Sequence, residues 1–175
     1  IYNLNDSCFN YFTGEVWIKD CGTEGVMLPY DQVTGEASGG SLGFNIATDP
    51  LGNSYVVGNF YGNMTIRETS LTDSGQGDIF ITKVAPSGRV VWAKKIGSTT
   101  AENAKNIALD SDGNIYITGE FTGTVSFGSS SITSAGEFDI FVAKLDPNGN
   151  FLWVTRTGAS NYEYVEGIAV DDAGN

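Results

Sequence analysis

A constant interval of 61 residues organises most of this chain. Asp49, Asp110 and Asp171 are related by it, as are Gly52, Gly113 and Gly174, and Asn53, Asn114 and Asn175. The register continues through Tyr55 and Tyr116, Gly58 and Gly119, Phe60 and Phe121, Asp78 and Asp139, Lys83 and Lys144, Pro86 and Pro147, Trp92 and Trp153, and Gly97 and Gly158. A period without slippage means that each unit is one supersecondary module, burying its apolar surface against its neighbours. The fold question reduces to the shape of one unit.

In the better-defined unit, Ile107–Leu109 and Ile115–Thr118 flank Asp110, Ser111, Asp112, Gly113 and Asn114. Two apolar runs joined by a Gly/Asn link predict a β-hairpin, because those residues tolerate the positive φ of tight turns. A weaker stretch follows, Thr124–Phe127 and then Ile132, interrupted by Gly128 and serines, and reads as a small polar hairpin. Ile140–Leu145, the turn at Asp146, Pro147, Asn148 and Gly149, and the run Phe151–Val154 complete the unit. No window has comparable helical periodicity.

Each unit therefore offers four principal strands. Ile79–Ile81 and Ile140–Ala143 are apolar without alternation, which predicts sheets covered on both faces. Four-stranded antiparallel sheets stacked radially are the blades of a β-propeller. The extra polar hairpin accounts for a repeat longer than the usual length of about 40 to 50 residues. Trp92 and Trp153 are expected between blades, each contributing about 1.5 to 3 kcal/mol on burial. A β-solenoid is the competing architecture, but its rungs are shorter and its strands parallel.

The segments IALDSDGNIYITGEF and GEFDIFVAKLDPNGNFLWVTRTG resemble the bacterial β-propeller repeats called SBBP, and more distantly NHL repeats. The resemblance covers roughly residues 43 to 175. It implies a propeller found mostly in large secreted or cell-surface bacterial proteins, with no catalytic residues common to the family.

The units run 43–103 and 104–164, with the start of a further unit at 165–175 and a divergent head at 1–42. Within the head, Gly14, Glu15, Val16, Trp17 and Ile18 echo Gly77–Ile81, Gly25 echoes Gly88, and Tyr30 falls near the tryptophan position, as in the outer part of a preceding blade. An incomplete ring is expected, since propellers typically have four to eight blades. The sequence therefore reads as part of a longer polypeptide, with the remaining blades in that polypeptide or in a protein partner. Two open apolar blade faces make a stable isolated monomer an unfavourable expectation. Any signal peptide has been removed or was never included, so its absence says nothing against secretion.

The balance of 9 basic against 21 acidic residues gives a net charge of −12, which repels nucleic acid and anionic lipid. No window is apolar enough for a bilayer helix. Histidine is absent, which removes the commonest general base and the usual triads. Asp171 with Asp172, or Glu163 with Glu166, remain as carboxylate neighbours of the kind a glycosidase uses, against a solvated acidic surface. Asp110, Ser111, Asp112, Gly113 and Asn114 present alternate oxygen donors like the start of a calcium loop. The sister copies keep only Asp, Gly and Asn, which is what a turn needs, so turn and calcium readings both stand. No cofactor, zinc or other metal site is expected.

Cys8 and Cys21, the two cysteines, form a candidate disulfide, the alternative being two free thiols. Closing that loop is worth about 3 kcal/mol in the chain-entropy model. Asn5 and Asn63 lie in glycosylation-acceptor triplets, a weak signal. The positions that break the repeat bear more on function. Between units, Ser98–Ala104 is answered by Ala159–Val165, which carries Tyr162, Glu163 and Tyr164. In a propeller such connections lie at a face of the disc, so these three residues are a candidate contact for a protein or a glycan. The alternative is that one tyrosine packs on the neighbouring blade. The expected function is a non-enzymatic scaffold or interaction segment of a secreted or surface protein. A carbohydrate-binding or adhesive propeller and the non-catalytic part of an enzyme are the rivals.

Overall fold

The computed structural model describes residues 8–12, 17–21, 39–171 and 174–175. Its described elements are all strands, and the 61-residue interval relates β3 to β8, in order, to β9 to β14. β3 (Ser41–Thr48), β4 (Ser54–Phe60), β7 (Asp78–Val84) and β8 (Val90–Ile96) form one antiparallel sheet in that order. β9 (Glu102–Leu109), β10 (Ile115–Phe121), β13 (Asp139–Leu145) and β14 (Phe151–Thr157) form the second, each strand 61 residues beyond its counterpart. Hairpins β5–β6 (Asn63–Ile66, Thr69–Thr72) and β11–β12 (Thr124–Phe127, Ser130–Thr133) are inserted between second and third strands. Even the ladder irregularities correspond, at Gly43/Asn45 and at Thr118/Gly119.

The two sheets converge at one edge. β9 lies against both β3 and β4, and Asn45 Nδ2 donates to Asn106 Oδ1 across the seam at 3.0 Å, between residues one repeat apart. Toward the outer edges the gap widens and is filled by Trp92, Phe151 and the β11–β12 hairpin. This wedge is blade geometry, and the architecture is that of an incomplete β-propeller.

Tyr55, Val57, Ile79, Ile81, Ile107, Ile115, Ile117 and Phe121 form the core between the sheets. β10 is buried along its whole length, as the interior strand of a covered sheet should be. Two expectations need correction. β13 is not covered on both faces: its residues alternate between buried and half-buried, because only one side packs on the neighbouring sheet. The tryptophans are not deeply buried either, since Trp92 is half-buried and Trp153 is 42% exposed.

The inserted hairpins are less polar than their composition suggests. Val125 and Phe127 alternate with exposed Thr124 and Ser126, and Phe127 packs on Phe141 and Phe151 with centroid separations of 5.1 and 5.6 Å. Met64, Ile66 and Leu71 make a corresponding inner face in the first unit. Two alternating apolar residues on the first strand and one on the second suffice to seat each hairpin, and such a short pattern is easily lost among serines and threonines.

In the head, β1 (Cys8–Phe12) and β2 (Trp17–Cys21) form a two-stranded antiparallel sheet. Gly14, Glu15, Val16, Gly25 and Tyr30, used in the blade echo, lie outside the described residues, as does Asn5.

Candidate interaction face

Strand register sorts the connections onto two ends. β3–β4 and β7–β8, with β9–β10 and β13–β14, turn tightly at one end. The hairpins and the β8–β9 crossover gather at the other.

At the turn end, Asp110 Oδ1 accepts from the backbone N–H of Asp112 and Asn114 at 3.1 and 2.8 Å. Its Oδ2 accepts from Asn114 Nδ2 at 2.8 Å and Tyr116 OH at 3.2 Å, and pairs with Lys144 Nζ at 3.2 Å. Asp49 and Asp146 hold Asn53 and Asn150 through the same side-chain and backbone bonds. Both Asp110 oxygens are therefore committed to protein donors, and the geometry assigns this motif to turn construction. Replacing Asp110 with alanine should cost about 1.5–3 kcal/mol, the range for losing hydrogen bonds to a charged group. Added calcium should leave the melting temperature of either protein unchanged, and a calcium-dependent rise in the parent alone would reverse the assignment.

At the connection end, Asp78 and Asp139 are fully buried at the starts of β7 and β13. Asp78 pairs with Lys95 at 2.7 Å, and Asp139 with Arg156 from the equivalent position. The two differ in titration. Burial pushes Asp78 above the usual carboxylate range despite the Lys95 bond and charge, with Asp73 adding repulsion. Burial also acts on Asp139, but the Ala135 amide and Arg156 outweigh it and hold that carboxyl low. Asp73 has Ser134 as its counterpart, so the second copy lacks that neighbouring acid. Glu102 is likewise raised by burial, against hydrogen bonds from Ser98, with Asp78's charge contributing.

A group with a raised folded pKa stabilises fully below its ordinary value, and that contribution is lost as pH rises through the folded value. For Asp78 and Glu102 the ordinary values are 3.8 and 4.5. Asp49, Asp110, Asp139 and Asp146 have lowered values, because their hydrogen bonds outweigh burial, and lose their contribution as pH falls through them. Stability should therefore decline on the alkaline side of the ordinary carboxyl range as well as in strong acid. Denaturation midpoints against pH check this, and Asp78→Asn should flatten the alkaline-side decline; an unchanged slope would remove Asp78 from the explanation.

The structure brings Tyr162 and Tyr164 together. Their rings are 5.9 Å apart and 13° from parallel, and Tyr162 stacks on Phe138 at 5.1 Å and 25°. The tyrosines are 48% and 67% exposed. Glu163 does not join them. It is half-buried between the two exposed tyrosines, and its Oε2 is buried without a hydrogen-bond partner. Its N–H donates to Phe138 O at 2.9 Å, matching the bond from Glu102 N–H to Gly77 O at 3.3 Å. Glu166 is exposed whereas Glu163 is half-buried; Asp172 lies outside the described residues.

Phe138 was not singled out by the sequence. Its counterpart is Gly77, and a Cβ there would stand 2.5 Å from the ring of Tyr61, whose own counterpart is Thr122. Each unit fills that corner with an aromatic ring from a different position. The break in register at both sites was the available signal. Asn59 was missed as well. It faces the inter-sheet seam, where its Nδ2 donates to Glu102 O at 2.8 Å and its Oδ1 accepts from Ala104 N at 2.8 Å.

In the head, Cys8 stands opposite Cys21 in the ladder. Directly opposed residues on antiparallel strands have Cα atoms about 4.5–5.5 Å apart, within the span of a disulfide.

The chain is 26% identical over 110 residues to an uncharacterized WD repeat-containing protein of Acanthamoeba polyphaga mimivirus, a match covering 53% of this chain and 8% of that protein. Residues 91–120 match the family model of the SBBP β-propeller repeat. That stretch starts in β8, crosses the seam and ends in β10, so it includes the connection joining one blade to the next. Every strand from β3 to β14 recurs at one interval, so the segment similar to the SBBP β-propeller repeat lies within a regular array of two blade units.

Proposed function

We propose that this chain is a non-enzymatic scaffold segment of a larger secreted or cell-surface protein, and that its connection face receives a protein partner. The observation that carries the reading is the exposed Tyr162–Tyr164 stack, held on a rigid blade by Phe138 and the Glu163–Phe138 backbone bond. Rings fixed before contact bind with little loss of side-chain entropy. The first unit has Ala101 and Asn103 at these positions, so blade construction does not require tyrosines there. The carboxylates with raised pKa values, Asp78 and Glu102, are buried and bonded to Lys95 and Ser98, an arrangement suited to structure rather than to turnover. An oxidising compartment would be supported by a Cys8–Cys21 disulfide, read as a 2 Da mass difference on reduction (about 1 Da per thiol hydrogen).

Glycan binding is the second reading, favoured by the open outer face of Tyr164, since sugar rings stack on flat aromatic surfaces. A photo-crosslinker at position 162 in the intact parent protein, with position 51, 81% exposed in a turn at the opposite end, as control, tests the first. Glycan-array signal abolished by Tyr162→Ala with Tyr164→Ala would transfer the assignment to the second. Neither a site-specific crosslink nor a tyrosine-dependent glycan signal would defeat both.

A further inference from the structure

One inter-blade joint is complete in this molecule, and half of another is displayed beside it. In the complete joint the Trp92 indole N–H donates to Pro147 O at 3.3 Å, and Lys83 Nζ donates to the same oxygen at 3.4 Å. Tyr55 supports both donors: Lys83 Nζ lies 5.0 Å from its ring centroid, and Trp92 packs at 6.2 Å. The acceptor belongs to the Asp146–Asn150 turn of the neighbouring blade. Gly149 lets that turn approach, since a Cβ there would stand 2.8 Å from Lys94 Cε and 3.2 Å from Trp92 Cε2.

The second unit repeats the donor side. Lys144 lies 4.7 Å from the Tyr116 ring centroid, and Tyr116 packs on Trp153 at 6.1 Å. Trp153 is 42% exposed and its neighbour Leu152 is 53% exposed. Tyr116 OH lies 3.0 Å from Gly174 O and shares its one hydrogen between that oxygen and Asp110 Oδ2, so a turn of the next unit begins to occupy this face.

We propose that Trp153, Lys144 and Tyr116 form a latch for a further repeat of the same 61-residue kind. That repeat presents a turn with an accessible backbone carbonyl at the position of Pro147 and glycine at the position of Gly149. The occupant is fixed by continuity with the existing joint: the same three side chains, in the same register, grip that turn one blade earlier. The latch reads backbone and the absence of a side chain, so it selects this turn and tolerates variation in the rest of the repeat.

Fusing a second copy of residues 115–164 after Asn175 tests this, because Asn175 corresponds to Asn114 and the register continues. Trp153 emission, isolated by difference against Trp153→Phe, should shift to the blue, and its acrylamide quenching should fall by about twofold or more as the indole is covered. Valine at the appended counterpart of Gly149 should restore the quenching. Equal quenching in parent and fusion would overturn the proposal, as would concentration-dependent protection of Trp153 in the parent, which would assign the face to a second copy. If the fusion fails to fold, Gly149→Val in the parent still decides. It should expose Trp92 to the quencher, and unaltered Trp92 emission would mean that the existing joint is not a latch.

Discussion

Replacing Phe141 with alanine is expected to destabilise the second blade by about 3–5 kcal/mol, the range for removing a buried aromatic from a packed core. Phe141 is 1% exposed and packs edge-on against Phe121 at 6.3 Å and tilted against Phe127 at 5.1 Å. It ties the principal sheet to the inserted hairpin, whose own ladder is only four residue pairs long. A two-stranded hairpin of that length has little stability of its own. Losing the ring should therefore release β11–β12 before the sheet melts. Hydrogen exchange should show early loss of protection at Val125 and Phe127, with a lowered denaturation midpoint. A variant that loses stability while the hairpin stays protected to the global transition would show that Phe151 alone anchors it.

Asn59→Leu should cost about 2–6 kcal/mol, because it orphans Glu102 O and Ala104 N–H in a buried seam at about 1–3 kcal/mol each. Neither group can turn to water without opening the sheets. The second unit has Glu120 at this position, 5% exposed and paired with Lys105 at 3.4 Å. Asn59→Asp should fall between parent and Asn59→Leu, since a carboxylate accepts from Ala104 N–H but cannot donate to Glu102 O. Urea denaturation of the three proteins orders them. Equal midpoints for the aspartate and leucine variants would show that the bond to the Glu102 carbonyl carries the joint.

The connection face was harder to read than the turn face for a physical reason. Turns use local bonds, so Asp110 and Asn114 announce themselves within five residues. The aromatic ledge is assembled from Phe138, Tyr162 and Tyr164, which meet only because β13 begins where the chain leaves β14. Tyr162 and Tyr164 stood out because they break the repeat. Glu163 is adjacent to both, yet its carboxylate is buried while the two rings stay exposed. Phe138 follows a glutamate in an otherwise plain loop, and nothing local marks it as a stacking partner.

The 61-residue interval, the Asp–Asn turns and the apolar runs were enough to determine strand order within a unit, because those features act between near neighbours. They also determined that units must stack, because no unit covers its own sheet faces. Which strands converge was decided by tertiary structure alone. The wedge at β3 and β9 depends on Asn45 meeting Asn106, and on Asn59 reaching backbone some 40 residues away. The depth of Trp92 and Trp153 was likewise set by whether a neighbouring turn lies over the indole, a long-range contact that no local pattern encodes.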